Sequence, residues 1–270
     1  MSRQSKPRSR QPNQRNERPK PPTSVMLYGV HPVVEALKNP NRRSKNLFLD
    51  QSRHYDLLRM FQPLLDDHPN PPALQWTSRD HIEQTTTEAL GQPVPHQGVM
   101  LRCGTLPELP ENRLFDYENG TVLVALDQVN DPHNVGAIIR TAAAFDAGAL
   151  ITTDRHTPFE SGLLAKTASG GLDRLPWARV KNLGNCLEAL KDHGFIIIGF
   201  DGNSETHLDQ IPITIDDRVV MVMGAESKGL RERTQELLDH SIRLPTADDF
   251  PHLNVSNAAA IALYALKTRG

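Results

Sequence analysis

Residues 219–230 read VVMVMGAESKGL, and residues 241–257 read SIRLPTADDFPHLNVSN, after which the apolar helical pattern AAAIALYAL follows. Each stretch begins with an apolar run typical of a buried strand and continues through small and polar residues toward a helix. In α/β proteins, loops of this kind lie at the carboxyl ends of strands, where ligands bind. The C-terminal part of the chain therefore decides the fold class and is where a binding site is expected.

The loop after VVMVM lacks the residues of the common nucleotide-binding loops. Gly224 and Gly229 have the spacing of a phosphate-binding loop, but Leu230 and Arg231 follow where Lys and Ser or Thr are required. The sequence also contains no G-x-G-x-x-G, the fingerprint of dinucleotide-binding folds. These two observations argue against a nucleoside triphosphatase and against a nicotinamide or flavin enzyme.

A segment upstream has the same strand, turn and helix design. VLVAL at 122–126 predicts a buried strand, and DQVNDPHNVGAIIR at 127–140 predicts a turn and the start of a helix. Asn134 is the predicted N-cap, and Arg140 lies one turn after Gly136 on the same face. We expect the missing side chain at Gly136 to leave room beside the guanidinium group. Taken alone, an arginine is more often a solvated surface residue.

Three motifs in this region carry a family resemblance. NDPHNVGAIIRTAAAF, MGAESKGL and LPTADDFPHLNVSNAAA, in this order and at these separations, closely resemble the motifs of the SpoU (TrmH-type) RNA ribose 2′-O-methyltransferases of the SPOUT superfamily. Near the N-terminus, YGVHPVVEAL resembles the opening of the L30e-like RNA-binding domain of the members that methylate a guanosine of 23S ribosomal RNA.

The resemblance implies an α/β fold, with a SPOUT-type parallel sheet and a C-terminal trefoil knot, preceded by a small L30e-like α/β domain. Apolar strands such as FIIIGF at 195–200 alternate with predicted helices, among them 183–192 and 231–238. This alternation predicts the same parallel sheet, covered on both faces. The predicted organisation is a disordered basic tail at 1–24, an L30e-like RNA substrate-binding domain at 25–103, a linker at 104–120 and a SpoU methyltransferase domain at 121–270.

The resemblance also implies S-adenosylmethionine as the cofactor, bound largely by main-chain groups at positions that correspond to Gly224, Leu244 and Leu253. The catalytic residues of the family fall on Asn134 and Arg140 in the first motif, on Glu226 in the second, and on Asn254 and Ser256 in the third.

These residue types suit methyl transfer to a ribose hydroxyl, which is a poor nucleophile near neutral pH. Arg140 is the candidate for orienting the hydroxyl and stabilising the developing alkoxide. Arginine is already protonated near neutral pH and has no free acceptor for a proton, so removal of the proton by Arg140, with help from a phosphate, stays open. Glu226 either holds this network or is a solvated loop acid. Asn254 and Ser256 either belong to it or only cap the last helix.

Ribosomal RNA is the favoured substrate and tRNA the alternative, with a homodimer implied by the family. A non-catalytic RNA-binding protein for ribosome assembly is the competing hypothesis, and the presence of Asn134, Arg140 and Glu226 argues against it. The two cysteines are far apart and the histidines lack paired spacing, so no metal site is expected.

Charge is unevenly distributed along a chain whose net charge is −2. Residues 1–24 hold seven Lys or Arg and one Glu, so this tail either contacts RNA phosphates or serves solubility. In the turn NPNRRSK at 39–45, Arg42, Arg43 and Lys45 are candidates for RNA backbone contact or a solvated basic loop. Because no run of 18 apolar residues occurs, we expect a cytoplasmic protein.

Overall fold

A computed structural model describes residues 21–118, 120–155, 157–225, 229–247 and 253–269 of the chain. The described residues form two sheets, a four-stranded mixed sheet in the N-terminal lobe and a six-stranded sheet in the C-terminal lobe. The predicted basic tail, apart from residues 21–24, lies outside the described residues, and so does Glu226.

The N-terminal lobe alternates strands and helices. Its sheet has the order β1-β4-β2-β3, with β2 and β3 parallel and β4 antiparallel to both β1 and β2. Its elements are β1 (Ser24–Tyr28), α1 (Val30–Lys38), β2 (Ser44–Asp50), α2 (His54–Asp66), β3 (Ala73–Thr77), α3 (Arg79–Leu90) and β4 (Val99–Gly104).

The C-terminal lobe is built on an all-parallel sheet with the order β10-β8-β9-β5-β6-β7. Its four central strands are buried on both faces, as expected for near-continuous apolar runs. Its elements are β5 (Val122–Asp127), α4 (Pro132–Ala144), β6 (Leu150–Thr153), α5 (Gly162–Ala168), β7 (Trp177–Val180), α6 (Leu183–Asp192), β8 (Ile196–Phe200), β9 (Val219–Gly224), α7 (Glu232–Gln235), β10 (His240–Ile242) and α8 (Val255–Lys267).

The predicted parallel sheet with helices on both faces is confirmed. Two elements of the chain differ from the sequence predictions, one in each lobe. The helix predicted at 231–238 is the single turn α7, which ends at Gln235. Strand β1 had no sequence prediction because it is short and follows a polar tail.

Part of the segment predicted as a linker, 104–120, is packed against the C-terminal lobe. It contains the 3₁₀ helix Glu111–Asp116, within which Leu114 is fully buried. The peptide N–H of Leu109 donates to the carbonyl of Trp177 at 2.8 Å. The turn residues of this segment lack periodicity, as those of a mobile linker do, so the sequence did not predict that the connection is structured.

The two lobes share a hydrophobic core. One cluster of buried residues includes Leu27 of β1 and Leu47 of β2 together with Ile138 of α4 and Ala165 of α5. The first residue of α5 approaches β1 closely, because a Cβ atom at Gly162 would lie 2.4 Å from the carbonyl oxygen of Met26. The lobes are therefore packed together through apolar contacts.

The strand order places a topological switch point between β5 and β9. From β5 the chain continues to β6 and β7 on one side, whereas β9, β8 and β10 lie on the other side. Ligands of open α/β sheets bind outside the carboxyl ends of the strands at such a point. Among the described residues, no helix is long and apolar enough to cross a membrane.

Candidate active site

The N-terminus of α4 lies just beyond the carboxyl end of β5. Asp131 is its N-cap, since its carboxylate Oδ1 accepts a hydrogen bond from the peptide N–H of His133 at 2.9 Å, and Pro132 occupies the first helical position. The prediction that Asn134 is the cap was therefore wrong, because Asp131 fills that role three residues earlier. Asn134 lies in the first turn of the helix, and its side chain reaches another element.

Asn254 connects the first and third motifs. Its Nδ2 donates to Oδ1 of Asn134 at 3.0 Å, and the same side chain is the N-cap of α8. Asn254 Oδ1 accepts hydrogen bonds from the peptide N–H of Ser256 at 2.9 Å and from Ser256 Oγ at 2.6 Å. One asparagine thus caps α8 and ties its N-terminus to α4, while Ser256 supports that cap.

Arg140 is exposed on α4. No hydrogen bond or ion pair to another described residue involves its guanidinium group. The expectation that Gly136 leaves room beside it was wrong, because Gly136 is buried against α5. A Cβ atom there would lie 2.7 Å from Thr167 Cβ and 3.0 Å from the carbonyl oxygen of Leu164. Gly136 therefore permits close helix packing, and the guanidinium group of Arg140 lies at the surface.

Gly224 ends β9 directly beside Asp127 of β5. A Cβ atom at position 224 would lie 2.4 Å from the carbonyl carbon of Gly229, so the chain has returned to the end of the strand at Gly229. Ala225 and Gly229 close this turn with two main-chain hydrogen bonds of 3.2 and 2.8 Å. Gly229 has φ +63°, a left-handed conformation that favours glycine.

Asp127 is a site-forming residue that sequence reasoning missed. Its fully buried carboxylate accepts from the peptide N–H of Arg231 at 3.0 Å, from Arg231 Nε at 2.6 Å and from Thr234 Oγ1 at 2.7 Å. It anchors the chain after the β9 loop to the end of β5. A carboxylate at the end of an otherwise apolar strand was the available signal, because buried acids require partners.

The three predicted cofactor positions lie at the end of β9, after β10 and just before α8. Leu244, which follows β10, is half-buried against the core cluster that contains Met223 and Val255. No hydrogen bond to another described residue involves its peptide groups. Leu253, just before α8, is 39% exposed. Available main-chain groups beside apolar surface suit a ligand with an adenine ring and a polar tail.

Arg42, one of the predicted RNA-contacting residues, does not face solvent. Its side chain is fully buried in an ion pair with Asp173, so the prediction of an RNA backbone contact was wrong for this residue. Arg43 and Lys45 are exposed. Burial opposes the charge of Arg42, but the hydrogen bond and charge of Asp173 and the charge of Glu160 outweigh it and raise the pKa.

A cavity of about 570 Å³ lies between the lobes, away from the ends of β5 and β9, with Asn39, Phe159 and Trp177 in its lining. Arg179 lies in its wall, where its guanidinium carbon is 4.7 Å from the ring centre of Phe159 and 5.3 Å from that of Trp177. Burial lowers the pKa of Arg179. None of the predicted site residues lines this cavity, so we place the candidate active site at the switch point.

Solved structures define the class of the fold. The chain is similar to the SpoU methyltransferase AviRb from Streptomyces viridochromogenes in complex with AdoMet, with a TM-score of 0.72 and 21% identity over 91% of this chain and 89% of that chain. It is also similar to an rRNA methyltransferase from Sinorhizobium meliloti, with a TM-score of 0.72 and 23% identity over 91% and 87% of the two chains. The chain therefore has the fold of these two structures.

The model of the SpoU rRNA Methylase family matches residues 121–264, and the chain belongs to this family. A relative from Acinetobacter baylyi, named 23S rRNA (guanosine-2'-O-)-methyltransferase RlmB, is 36% identical over 88% of this chain and 94% of its own length. A relative of the same name from Pseudomonas aeruginosa is 33% identical over 89% of this chain and 94% of its own length. An uncharacterized tRNA/rRNA methyltransferase from Synechocystis is 33% identical over 89% of this chain, which spans 62% of that relative.

Proposed function

We propose that this protein transfers a methyl group from S-adenosylmethionine to a ribose 2′-hydroxyl of RNA, with a guanosine of 23S ribosomal RNA as substrate. The observation that carries the proposal is the hydrogen bond between Asn254 and Asn134, residues 120 positions apart. It joins the first and third motifs beside the switch point, on the helix that holds an exposed Arg140. The names and coverage of the Acinetobacter and Pseudomonas relatives favour ribosomal RNA over tRNA.

Gly224, Leu244 and Leu253 are the proposed cofactor-binding residues. The tight turn after Gly224 and the main-chain groups of Leu244 suit the polar part of S-adenosylmethionine, and the leucine side chains suit its adenine. When bound, this cofactor supplies an electrophilic methyl group on a sulfonium. Nothing in this role requires a metal ion, and the described residues contain no cluster of three or more metal-ligating side chains.

Arg140 is the proposed catalytic residue. Its planar guanidinium carries donors that can orient the ribose hydroxyl and stabilise the alkoxide as the new carbon–oxygen bond forms. The positive charge favours loss of the hydroxyl proton, because it stabilises the alkoxide, and the proton passes to solvent water. The surface position of Arg140 leaves its guanidinium accessible to RNA.

Asn134, Asn254 and Ser256 form the proposed support for this chemistry. The asparagine pair fixes the N-terminus of α8 against the first turn of α4, and Ser256 holds Asn254 in its capping geometry. The helix that holds Arg140 is thereby fixed at its N-terminal end. Glu226, which lies outside the described residues, is proposed as a further member of this network.

The remaining parts of the proposal concern RNA binding and assembly. The N-terminal lobe, residues 25–103, is proposed as an L30e-like RNA-binding domain, and the basic tail as an additional phosphate contact. A homodimer is proposed, supported by Ile261 and Tyr264 on α8, which are 45% and 58% exposed and lie three residues apart. The C-terminal segments are proposed to form the trefoil knot of the family, and the protein to act in the cytoplasm, where its ribosomal substrate occurs.

The proposal is tested by single-turnover methyl transfer to 23S ribosomal RNA under saturating cofactor and RNA. We expect Arg140→Ala to lower the rate by about a hundredfold or more, with cofactor affinity little changed. Arg140→Lys should restore little, because lysine keeps the charge but lacks the planar fork. Arg113→Ala is the matched control, since Arg113 is also exposed and pairs with Asp116 at 3.1 Å outside the site.

Two results would contradict the proposal at different levels. A normal rate in Arg140→Ala would remove the catalytic role of this residue while leaving the reaction in place. No detectable S-adenosylmethionine binding by calorimetry to the folded wild-type protein would overturn the proposed reaction itself.

A further inference from the structure

A short turn between α5 and β7, within the C-terminal lobe, contacts the N-terminal lobe on one side and α4 on the other. It comprises residues 169–173, and we refer to it as the coupling turn. Ser169 and Gly170 have φ angles of +50° and +93°, so the chain reverses sharply after α5. On one side the turn meets α1 of the N-terminal lobe, because a Cβ atom at Gly170 would lie 2.5 Å from Cγ of Glu35. Glycine is required there both by the conformation and by the space.

Asp173 fastens the coupling turn to the N-terminal lobe. Its Oδ1 accepts from Arg42 Nε at 2.8 Å and its Oδ2 from Arg42 Nη2 at 2.9 Å, a bidentate geometry. The side chains of Arg42 and Asp173 are 0% and 1% exposed. Asn39 Nδ2 adds a hydrogen bond to the carbonyl of Asp173 at 3.0 Å. A buried, two-point ion pair holds its partners in one relative orientation, unlike an exposed ion pair.

Glu160 takes part in the same set of contacts between the lobes. Its Oε1 contacts Arg42, and its Oε2 accepts from the peptide N–H of Leu106 at 2.8 Å. Arg42 also donates to the carbonyl oxygen of Gly104 at 3.0 Å. The guanidinium of Arg42 therefore joins the N-terminal lobe, the segment that follows it and the coupling turn through hydrogen bonds inside the protein.

On its other side, the coupling turn rests on the backbone of Arg140. A Cβ atom at Gly171 would lie 3.0 Å from Cα of Arg140 and 3.1 Å from the carbonyl oxygen of Ile139. Gly171, which touches the backbone of the proposed catalytic arginine, is therefore only two positions before Asp173, whose carboxylate holds Arg42. A displacement of the N-terminal lobe would be transmitted to α4 at Arg140, because close-packed interiors transmit strain.

We propose that Asp173 is a positioning residue, which acts through the coupling turn to hold Arg140 in register with RNA bound by the N-terminal lobe. This inference rests on the proposed function and extends it to residues outside the three motifs. The RNA held by one lobe must present its hydroxyl to an arginine on the other, and misplacement by 1 Å can cost about a hundredfold in rate. The ion pair of Asp173 with Arg42, together with the contact between Gly171 and the backbone of Arg140, meets this requirement.

The test is a double-mutant cycle of Asp173→Asn and Arg140→Ala in the full chain. Single-turnover transfer of a radiolabelled methyl group is followed with saturating RNA and cofactor, beside thermal melting and cofactor affinity. We expect Asp173→Asn to lower the rate at least about tenfold in the wild-type background and less than about twofold in the Arg140→Ala background. Asp239→Asn is the control, since Asp239 pairs with Lys191 at 2.8 Å away from the turn.

A second variant covers the case in which Asp173→Asn does not fold. Gly171→Ala removes no charge and places a methyl group against the backbone of Arg140, so we expect the same non-additive loss. Gly184→Ala is its control, because the added Cβ would lie 3.2 Å from the flexible side chain of Arg233. Full cofactor affinity in the slowed variants would support positioning over a general loss of structure.

Equal fold losses in the two backgrounds would overturn the inference, since a purely structural role does not act through Arg140. An unchanged rate in folded Asp173→Asn or Gly171→Ala would also overturn it. These results differ from a failure of the proposed function, in which the wild-type protein does not methylate RNA. A normal rate in Arg140→Ala would overturn the coupling to this arginine together with its catalytic role.

Discussion

Asn254 allows a specific test of the site, because its side chain makes two separable kinds of contact within the part of the chain that the structure describes. Oδ1 caps α8 through the peptide N–H of Ser256, and Nδ2 bridges to Asn134. Asn254→Ala removes both interactions, whereas Asn254→Ser keeps a good N-cap and removes the bridge. Loss of the cap costs about 1 kcal/mol, and loss of an exposed hydrogen bond about 0.5–1 kcal/mol. We therefore expect Asn254→Ala to be the less stable variant by about 1 kcal/mol.

Thermal melting and single-turnover methyl transfer separate the two roles. The stability difference corresponds to about 2–4 °C between the alanine and serine variants. If the bridge to Asn134 supports catalysis, both variants lose rate by a similar factor, about tenfold or more, although Asn254→Ser melts only about 1–4 °C below the wild-type protein.

The refuting result is specific to the bridge. A serine variant with wild-type rate and an alanine variant that is slow only near its melting temperature would show that Asn254 serves the helix cap alone. The two interpretations of this residue that the sequence leaves open are thereby decided in one experiment.

Three further predictions concern the cofactor loop, the tail and the cysteines. Gly224→Ala should abolish S-adenosylmethionine binding in calorimetry and destabilise the fold by about 1–3 kcal/mol, because its Cβ would lie 2.4 Å from the carbonyl carbon of Gly229; retained affinity would remove the turn from the cofactor site. Deleting residues 1–20, which carry a net charge of +6, should reduce the slope of log RNA affinity against log salt concentration by up to about 5. An unchanged slope would indicate a role in solubility. Burial raises the pKa of Cys103 and Cys186 to about 12, so both thiols should resist alkylation at pH 8 until the protein is unfolded; rapid labelling of the native protein would contradict this burial.

Hydrophobic periodicity was sufficient to predict the parallel sheet. Runs such as VLVAL and FIIIGF are strands in the structure, and the helix predicted at 183–192 is α6. Such runs are informative because a strand buried on both faces needs apolar residues at every position. Element ends were less accurate at α7, because Glu236, Leu237 and Leu238 after its last residue are compatible with a longer helix and gave no stop signal.

Side-chain partners were harder to predict than the elements that hold them. Asn134 and Asp131 are both good N-cap residues three positions apart, and only the observed backbone decides between them. Arg42 resembles its exposed neighbour Arg43 in sequence, and its burial depends on Asp173, 131 residues away. Local sequence does not show which basic residue pairs with an acid from another lobe. The ion pair between Arg42 and Asp173 therefore had no sequence signal.

The shared core gives a physical reason for the placement of recognition and chemistry in one chain. Val25 and Leu27 of β1 and Ala165 and Ala168 of α5 belong to the same buried cluster, so separating the lobes would expose apolar surface on both. The apolar contacts oppose separation of the lobes but tolerate small sliding movements, because they are not directional. The bidentate pair of Arg42 and Asp173 is directional and opposes such sliding. Packing thus holds the lobes together, while the buried ion pair fixes the orientation in which the N-terminal lobe faces Arg140.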